Sequence, residues 1–181
     1  MSQEQIGFTC SRCGKPHDEM PMSFVVPAPA HYESISRWFR WYRCRFLGDR
    51  NDPELCIIDE KYFYLRGQLE VPVTDGASPF SWSVWVSLSG KTYERALDVC
   101  DRPGRESELP YFGWLSVSLP FYPETLNLKT SVHTRPVGLR PLVELEPTDH
   151  PLSVEQRVGI TMARATQIAS ALLHGRWADE I

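Results

Sequence analysis

Apolar and polar residues take turns through the middle of this chain. From Tyr62 to Val71, Phe63, Leu65, Leu69 and Val71 point one way, and Tyr62, Tyr64, Arg66, Gln68 and Glu70 the other. From Phe80 to Ser89, Phe80, Trp82, Val84, Val86 and Leu88 share a side, opposed by four serines and Trp85. Successive side chains of an extended backbone leave on opposite faces, so a period of two predicts half-buried strands. Leu55–Ile58, Tyr111–Leu119, Leu126–Arg135 and Leu139–Glu146 are predicted as further strands. The links between them are short, which favours antiparallel neighbours, because a parallel pair needs a long crossover.

Two stretches carry a helical period instead. In 32–47, Ile35, Trp38, Phe39, Tyr42 and Phe46 form one stripe, with Arg37, Arg40 and Arg43 mostly off it. This predicts a helix packed by its rings with its arginines outside. Trp41 lies off the stripe and is a candidate exposed contact. Near the end, Ser153 and Gln156 make a capping-box pattern. Val158, Met162, Ala165, Ile168, Ala169, Leu172 and Leu173 follow as an apolar stripe, with Gly175 placed as a C-terminal cap. Gly159 inside that stretch costs about 1 kcal/mol relative to alanine. Lys91–Cys100 is a shorter helix candidate. The predicted class is α+β, an antiparallel sheet of about five to six strands packed on two amphipathic helices. Residues 1–30 are rich in Cys, Pro and Gly and form a knuckle ending in the linker Pro27-Ala28-Pro29; residues 31–181 form the α+β domain, one compact unit.

Composition narrows the function classes. With 42% apolar and 12% aromatic residues, the chain can bury a core and is not a disordered segment. A net charge of -4 provides no overall basic footprint, which argues against nucleic acid as the partner. No apolar run reaches the roughly 18 residues of a membrane span. Met1–Phe8 is polar and lacks a signal core, so the expected compartment is the cytoplasm and no membrane partner is expected.

The cysteines carry the first candidate chemistry. Cys10-Ser11-Arg12-Cys13-Gly14 is a C-x-x-C followed by glycine, with His17 beyond it. Two thiolates at that spacing reach one ion, and the glycine permits the tight turn around it. Sulfur and imidazole donors suit zinc. A closed structural site needs a fourth ligand, for which Cys56 is the best remote candidate and Cys44 and His31 are weaker ones. Three ligands alone would leave an open, catalytic position.

Several stretches together resemble a known family. They are Cys10-x-x-Cys13-Gly14-x-x-His17, Leu55-Cys56-Ile57-Ile58-Asp59, Arg66-Gly67-x-Leu69-Glu70-Val71-Pro72-Val73 and Trp82-x-Val84-Trp85-Val86-Ser87-Leu88-Ser89. Tyr111-Phe112-Gly113-Trp114-Leu115, Tyr122-Pro123-x-Thr125-Leu126-Asn127-Leu128-Lys129-Thr130 and Leu145-Glu146-Pro147-Thr148-Asp149-His150-Pro151-Leu152 continue the pattern. In this order they resemble the DUF2199 family of bacterial proteins, to which no activity is attached. The resemblance favours Cys56 as a metal ligand beside Cys10, Cys13 and His17. Ser36–Arg45 departs from the family pattern in its arginines and aromatics.

The second candidate is a polar sheet face. Alternation places Lys129, His133 and Arg135 on one side of their strand, Glu144 on its neighbour, and Arg66 and Glu70 on a third. His133 beside a carboxylate is a candidate general base, and the arginines are candidate carboxylate or phosphate clamps. The competing reading is a set of cross-strand ion pairs on a solvated wall. Asp149-His150 is a loop-mounted acid and base, or simply the lead-in to the last helix. No phosphate loop, dinucleotide fingerprint or nucleophile elbow is present. The expected function is a binding or interaction module with a structural zinc, recognising a protein partner or small ligand. Its alternative is a hydrolase-like enzyme using His133, Glu144, Arg66 or His150. An enzyme would gather those groups in a concavity, whereas a binding module would expose aromatics such as Trp85, Trp41 or Trp114.

Overall fold

A glycine lets this sheet close on itself. Gly67 lies where its strand meets a second neighbour, and a Cβ there would stand 2.4 Å from Val143 Cγ2. Only a residue without a side chain lets the two backbones approach so closely. The computed structural model describes residues 20–173 and the backbone of two short strands before them. Those strands, β1 (Phe8–Thr9) and β2 (Pro16–His17), pair antiparallel. Then come β3 (Ser23–Val25), α1 (Ala30–Ser34), α2 (Arg37–Arg43), β4 (Cys44–Gly48), β5 (Pro53–Ile58), β6 (Tyr62–Val71) and β7 (Phe80–Leu88). The chain continues through α3 (Gly90–Val99), β8 (Tyr111–Leu115), β9 (Lys129–His133), β10 (Leu142–Leu145), α4 (Pro151–Val158) and α5 (Met162–Leu173).

The class is α+β, and the sheet is a barrel with extensions. β6, β7, β8, β9 and β10 pair antiparallel in that order, and β10 returns to β6 in parallel through Leu142 and Gln68. Gln68 N–H donates to Pro141 O at 2.8 Å to seal the join. The first half of β6 runs past the barrel to pair with β5, and β5 pairs with β4. The start of β7 pairs in parallel with β3. Register partners share a face, so Leu65, Val86 and Leu115 stand together, as do Tyr111, Val132 and Val143. These side chains are buried and form the barrel's core.

β8, β9 and β10 keep one open face, whereas β6 and β7, expected to be half-buried, are covered on both faces over most of their length. Ser81, Ser83, Arg66 and Trp85, on the face opposite the barrel core, are all buried. The segment from Phe24 to Phe46 covers them: Trp85 Nε1 donates to Val26 O at 3.0 Å, and the Phe46 ring lies 5.9 Å from that of Trp85. Alternation marks two chemically different faces; it does not say that the more polar one meets water.

Both long predicted helices are divided. Residues 32–47 form α1, α2 and β4 rather than one helix. The C-terminal helix stops at Gly159, whose φ of 85° is left-handed. Ile160 N–H donates to Pro72 O at 2.8 Å there, and Thr74 N–H to Ile160 O at 2.9 Å. Two bonds to a neighbouring chain segment replace the helical ladder. The cap of α4 is His150, whose Nδ1 accepts from Leu152 N–H at 3.2 Å. Ser153 is buried and donates to Glu146 O at 2.9 Å instead of capping. Gln156 bonds the edge of β10, accepting from Leu145 N–H and donating to Val143 O, both at 2.8 Å. The predicted cap Gly175 lies outside the described residues. No helix among the described residues is long and apolar enough to cross a membrane.

Candidate functional site

The polar positions do share the barrel's outer wall, and the fold splits that wall in two. One half remains open. Register sets Phe112, Ser131 and Glu144 in one row, and Trp114 beside Lys129 in the next. His133 Nε2 lies 3.1 Å from Glu144 Oε2, outside hydrogen-bond geometry. Lys129 Nζ lies 3.6 Å from Glu146 Oε2. Arg135 donates to Glu70 at 3.2 Å and to Gln68 at 3.1 Å. Lys129 and Arg135 therefore meet carboxylates across the strands, in the pairing expected of a solvated sheet face. Phe112 and Trp114 stand edge to face at 5.2 Å, both exposed.

The other half is covered. Arg66 is only 2% exposed. Its Nε donates to Ser83 Oγ at 2.9 Å, and its Nη1 reaches Asp52 at 2.9 Å and Pro53 O at 3.1 Å. Its guanidinium carbon lies 5.3 Å from the Trp85 ring centre. Burial, reinforced by the charge of Arg140, lowers its proton affinity from the ordinary arginine value. Trp85, expected as an exposed aromatic, is wholly buried. Neither residue presents itself to a partner at the surface.

The two most exposed aromatics among the described residues are on α2, whose rings reverse the expected packing. Trp38 is 83% exposed and Trp41 82%, with Phe39 and Tyr42 also exposed. At 3.6 residues per turn these four positions fall within an arc of about 160°. The rings touch one another edge to face, Trp41 with Tyr42 at 5.4 Å and Phe39 with Tyr42 at 6.0 Å. The arginines on the opposite arc hold the helix to the body. Arg40 donates to Ile35 O at 2.8 Å and Glu33 O at 3.0 Å, and lies over the Tyr32 ring. Arg43 grips Asp59 with two hydrogen bonds. Of the predicted stripe, Ile35 alone is fully buried.

The sequence holds the reason this was missed. A stripe of rings at helical spacing looks the same whether it faces core or solvent. What decides is the set of partners for the arginines, and Asp59 lies on a different hairpin. The anchoring turn was also hidden, since Asp59 and Glu60 take φ of 52° and 53° without a glycine.

Of the metal candidates, Cys10 and Cys13 lie outside the described residues, as does the side chain of His17. Cys56 is wholly buried between its register partners Phe46 and Tyr64. Burial pushes its thiol up to about 12, so it is protonated at neutral pH. Among the described residues no group of three His, Cys, Asp or Glu side chains is arranged to hold an ion. His150 caps α4 through its Nδ1, while His133 faces Glu144 on the wall.

Comparison with curated proteins and with solved structures finds no match. The protein-family comparison does, across most of the chain. The chain belongs to the DUF2199 family, described as an uncharacterized protein conserved in bacteria, whose model matches residues 9–160.

Proposed function

We propose that this chain is a protein-binding module whose docking surface is the outward aromatic arc of α2. The observation that carries the reading is the reversed polarity of that helix. Trp38 and Trp41 stand more than four-fifths exposed while the arginines behind them are spent on the body of the protein. Trp and Tyr are among the residues that dominate binding energy at protein interfaces, because they bury large area with little loss of rotamer freedom. Arg37, the chain neighbour of Trp38, is exposed as well. The fitting partner therefore offers an apolar recess with a carboxylate beside it.

The enzyme alternative has less behind it. The cavity at the barrel's mouth takes in none of Arg66, His133, Glu144 and His150. The reading keeps a structural zinc, with Cys10, Cys13 and His17 as three of the four ligands that a closed site needs. Its support is the C-x-x-C-G spacing and the antiparallel pair Phe8↔His17 and Thr9↔Pro16, which brackets both cysteines in one short connection.

A photo-crosslinking residue at position 41 tests the docking surface in the intact cell. The expected result is one discrete protein adduct that is absent when the residue is placed at Val158, another exposed position. Equal adducts from both positions overturn the reading, as does an adduct whose added mass is lipid or a second copy of this chain.

A further inference from the structure

We propose that the mouth of the barrel is a binding site for a small uncharged apolar molecule. A cavity of about 370 Å³ opens there, between the β4–β5 hairpin, the end of α3 and the β9–β10 loop. Its wall is mainly aliphatic: Leu47 and Leu55 from the hairpin, Leu65 from β6, Ala96 and Val99 from α3, and Leu139 from the loop.

The charged groups around it decide the class of ligand. Arg105 looks like an anion clamp, but its guanidinium is consumed by the backbone. It donates to Cys100 O and Arg135 O, both at 2.6 Å, to Leu139 O at 2.7 Å and to Pro136 O at 3.2 Å. Arg140 is equally engaged, with Glu54 at 3.0 and 3.1 Å and with Asp52. Thr134 donates its hydroxyl to Arg105 O at 2.6 Å, and the Tyr111 hydroxyl lies 3.4 Å from Glu108. Asp101 stands exposed at the rim, where water screens it. Most of the guanidinium donors here are already committed and Arg140 is neutralised by its carboxylates, so an anionic ligand gains little, and a strongly polar one leaves its own groups unpaired. An apolar molecule loses nothing of this kind.

A second observation points to the same occupant. The rim carries Leu97, Val137 and Leu139, which are 39%, 49% and 51% exposed. Three large aliphatic side chains around one opening are a patch that a bound apolar molecule would cover. Barrel mouths lined by apolar side chains with few polar groups are a recurrent kind of ligand site. An apolar cavity of about 150 Å³ admits benzene, so this one has room for roughly two fused rings.

Titration with the neutral naphthalene dye prodan tests the proposal. Saturable binding with a blue-shifted emission is expected for the native chain. Ala96→Phe fills the cavity and Leu139→Glu sets a charge at its rim, and each is expected to weaken binding by about tenfold or more. Position 139 is exposed, so Leu139→Glu decides the matter even if Ala96→Phe fails to fold. The double variant Trp38→Ser/Trp41→Ser is expected to bind prodan as the native chain does. The proposal is overturned by absence of saturable binding, by unchanged affinity in Leu139→Glu, or by loss of binding in the Trp38/Trp41 variant. Equal affinity for an anionic naphthalenesulfonate overturns the ligand class.

Discussion

Arg43 and Asp59 meet fork to fork, with Nε 2.7 Å from Oδ1 and Nη2 2.5 Å from Oδ2, while Asp59 N–H returns a bond to Arg43 O at 2.8 Å. These contacts tie the last turn of α2 to the β5–β6 turn, and so decide which side of the helix faces water. Paired planar groups of this kind fix orientation as well as distance.

The Arg43 guanidinium holds the Asp59 carboxyl below its ordinary range. A carboxylate depressed in the folded state contributes its stabilisation above its unfolded pKa and loses it as pH falls through the folded one. The pairing should therefore persist at pH 5 and fail only below the ordinary carboxylate range of about 4. Asp59→Asn removes the charge while keeping a residue that tolerates the left-handed turn. In that variant, amide hydrogen exchange across α2 should be faster than native at neutral pH. Exchange equal to native would mean the pair does not orient the helix.

Trp38 and Trp41 contribute to binding rather than to folding in this account. Replacing both with serine should change unfolding free energy by no more than about 0.5 kcal/mol, as for surface positions generally. Trp85→Ala, in the core, should cost about 3–5 kcal/mol. Urea unfolding of the two variants checks the contrast, and similar losses in both would place the α2 rings in a packed interface.

Removing Arg66 leaves Ser83 Oγ and Pro53 O without their partner in a covered site. Arg66→Ala should destabilise by about 3–5 kcal/mol. Asp52→Asn should cost less, since Asp52 is half exposed and Arg66 keeps its other two acceptors. Equilibrium denaturation of the two variants gives the order, and the reverse order would mean the exposed carboxylate dominates.

Gly159→Ala forces a left-handed φ onto a side chain whose Cβ would stand 2.8 Å from Thr74 Cγ2 and 3.0 Å from Pro72 O. Strain of this kind costs about 1–3 kcal/mol. The melting temperature should fall, and a higher one would show that the helices prefer to join.

The zinc proposal predicts about one metal ion per purified chain, lost in Cys10→Ser and on chelation, with a lower melting temperature in both cases. Cys56→Ala should retain the metal, because its thiol is packed between Phe46 and Tyr64 with no group of three His, Cys, Asp or Glu side chains gathered around it among the described residues. Elemental analysis decides both points; metal-free native protein with unchanged stability would remove the site.

Part of this was legible in the residues. The alternation of Tyr62–Val71 and Phe80–Ser89 located the two longest strands, because period two follows from backbone geometry alone. It also set Lys129, His133 and Glu144 on one wall, where register then made His133 and Glu144 neighbours. The helix candidate Lys91–Cys100 is found as α3 within a residue at each end.

What the chain order left open was decided by contacts between distant segments. Whether Arg66 and Trp85 face water depends on residues 24–46 folding over them, and no periodicity encodes that cover. Whether the α2 rings point in or out depends on Asp59, a carboxylate on another hairpin. Whether the last helix continues through Gly159 depends on the backbone of Pro72 and Thr74 offering it other partners. Local pattern marked the period of β6, β7 and α3, where neighbouring residues alone suffice to set the backbone geometry, though not of β4, which lies inside a helical pattern. Tertiary structure chooses which face is buried, because burial is a relation between surfaces that only the folded chain brings together.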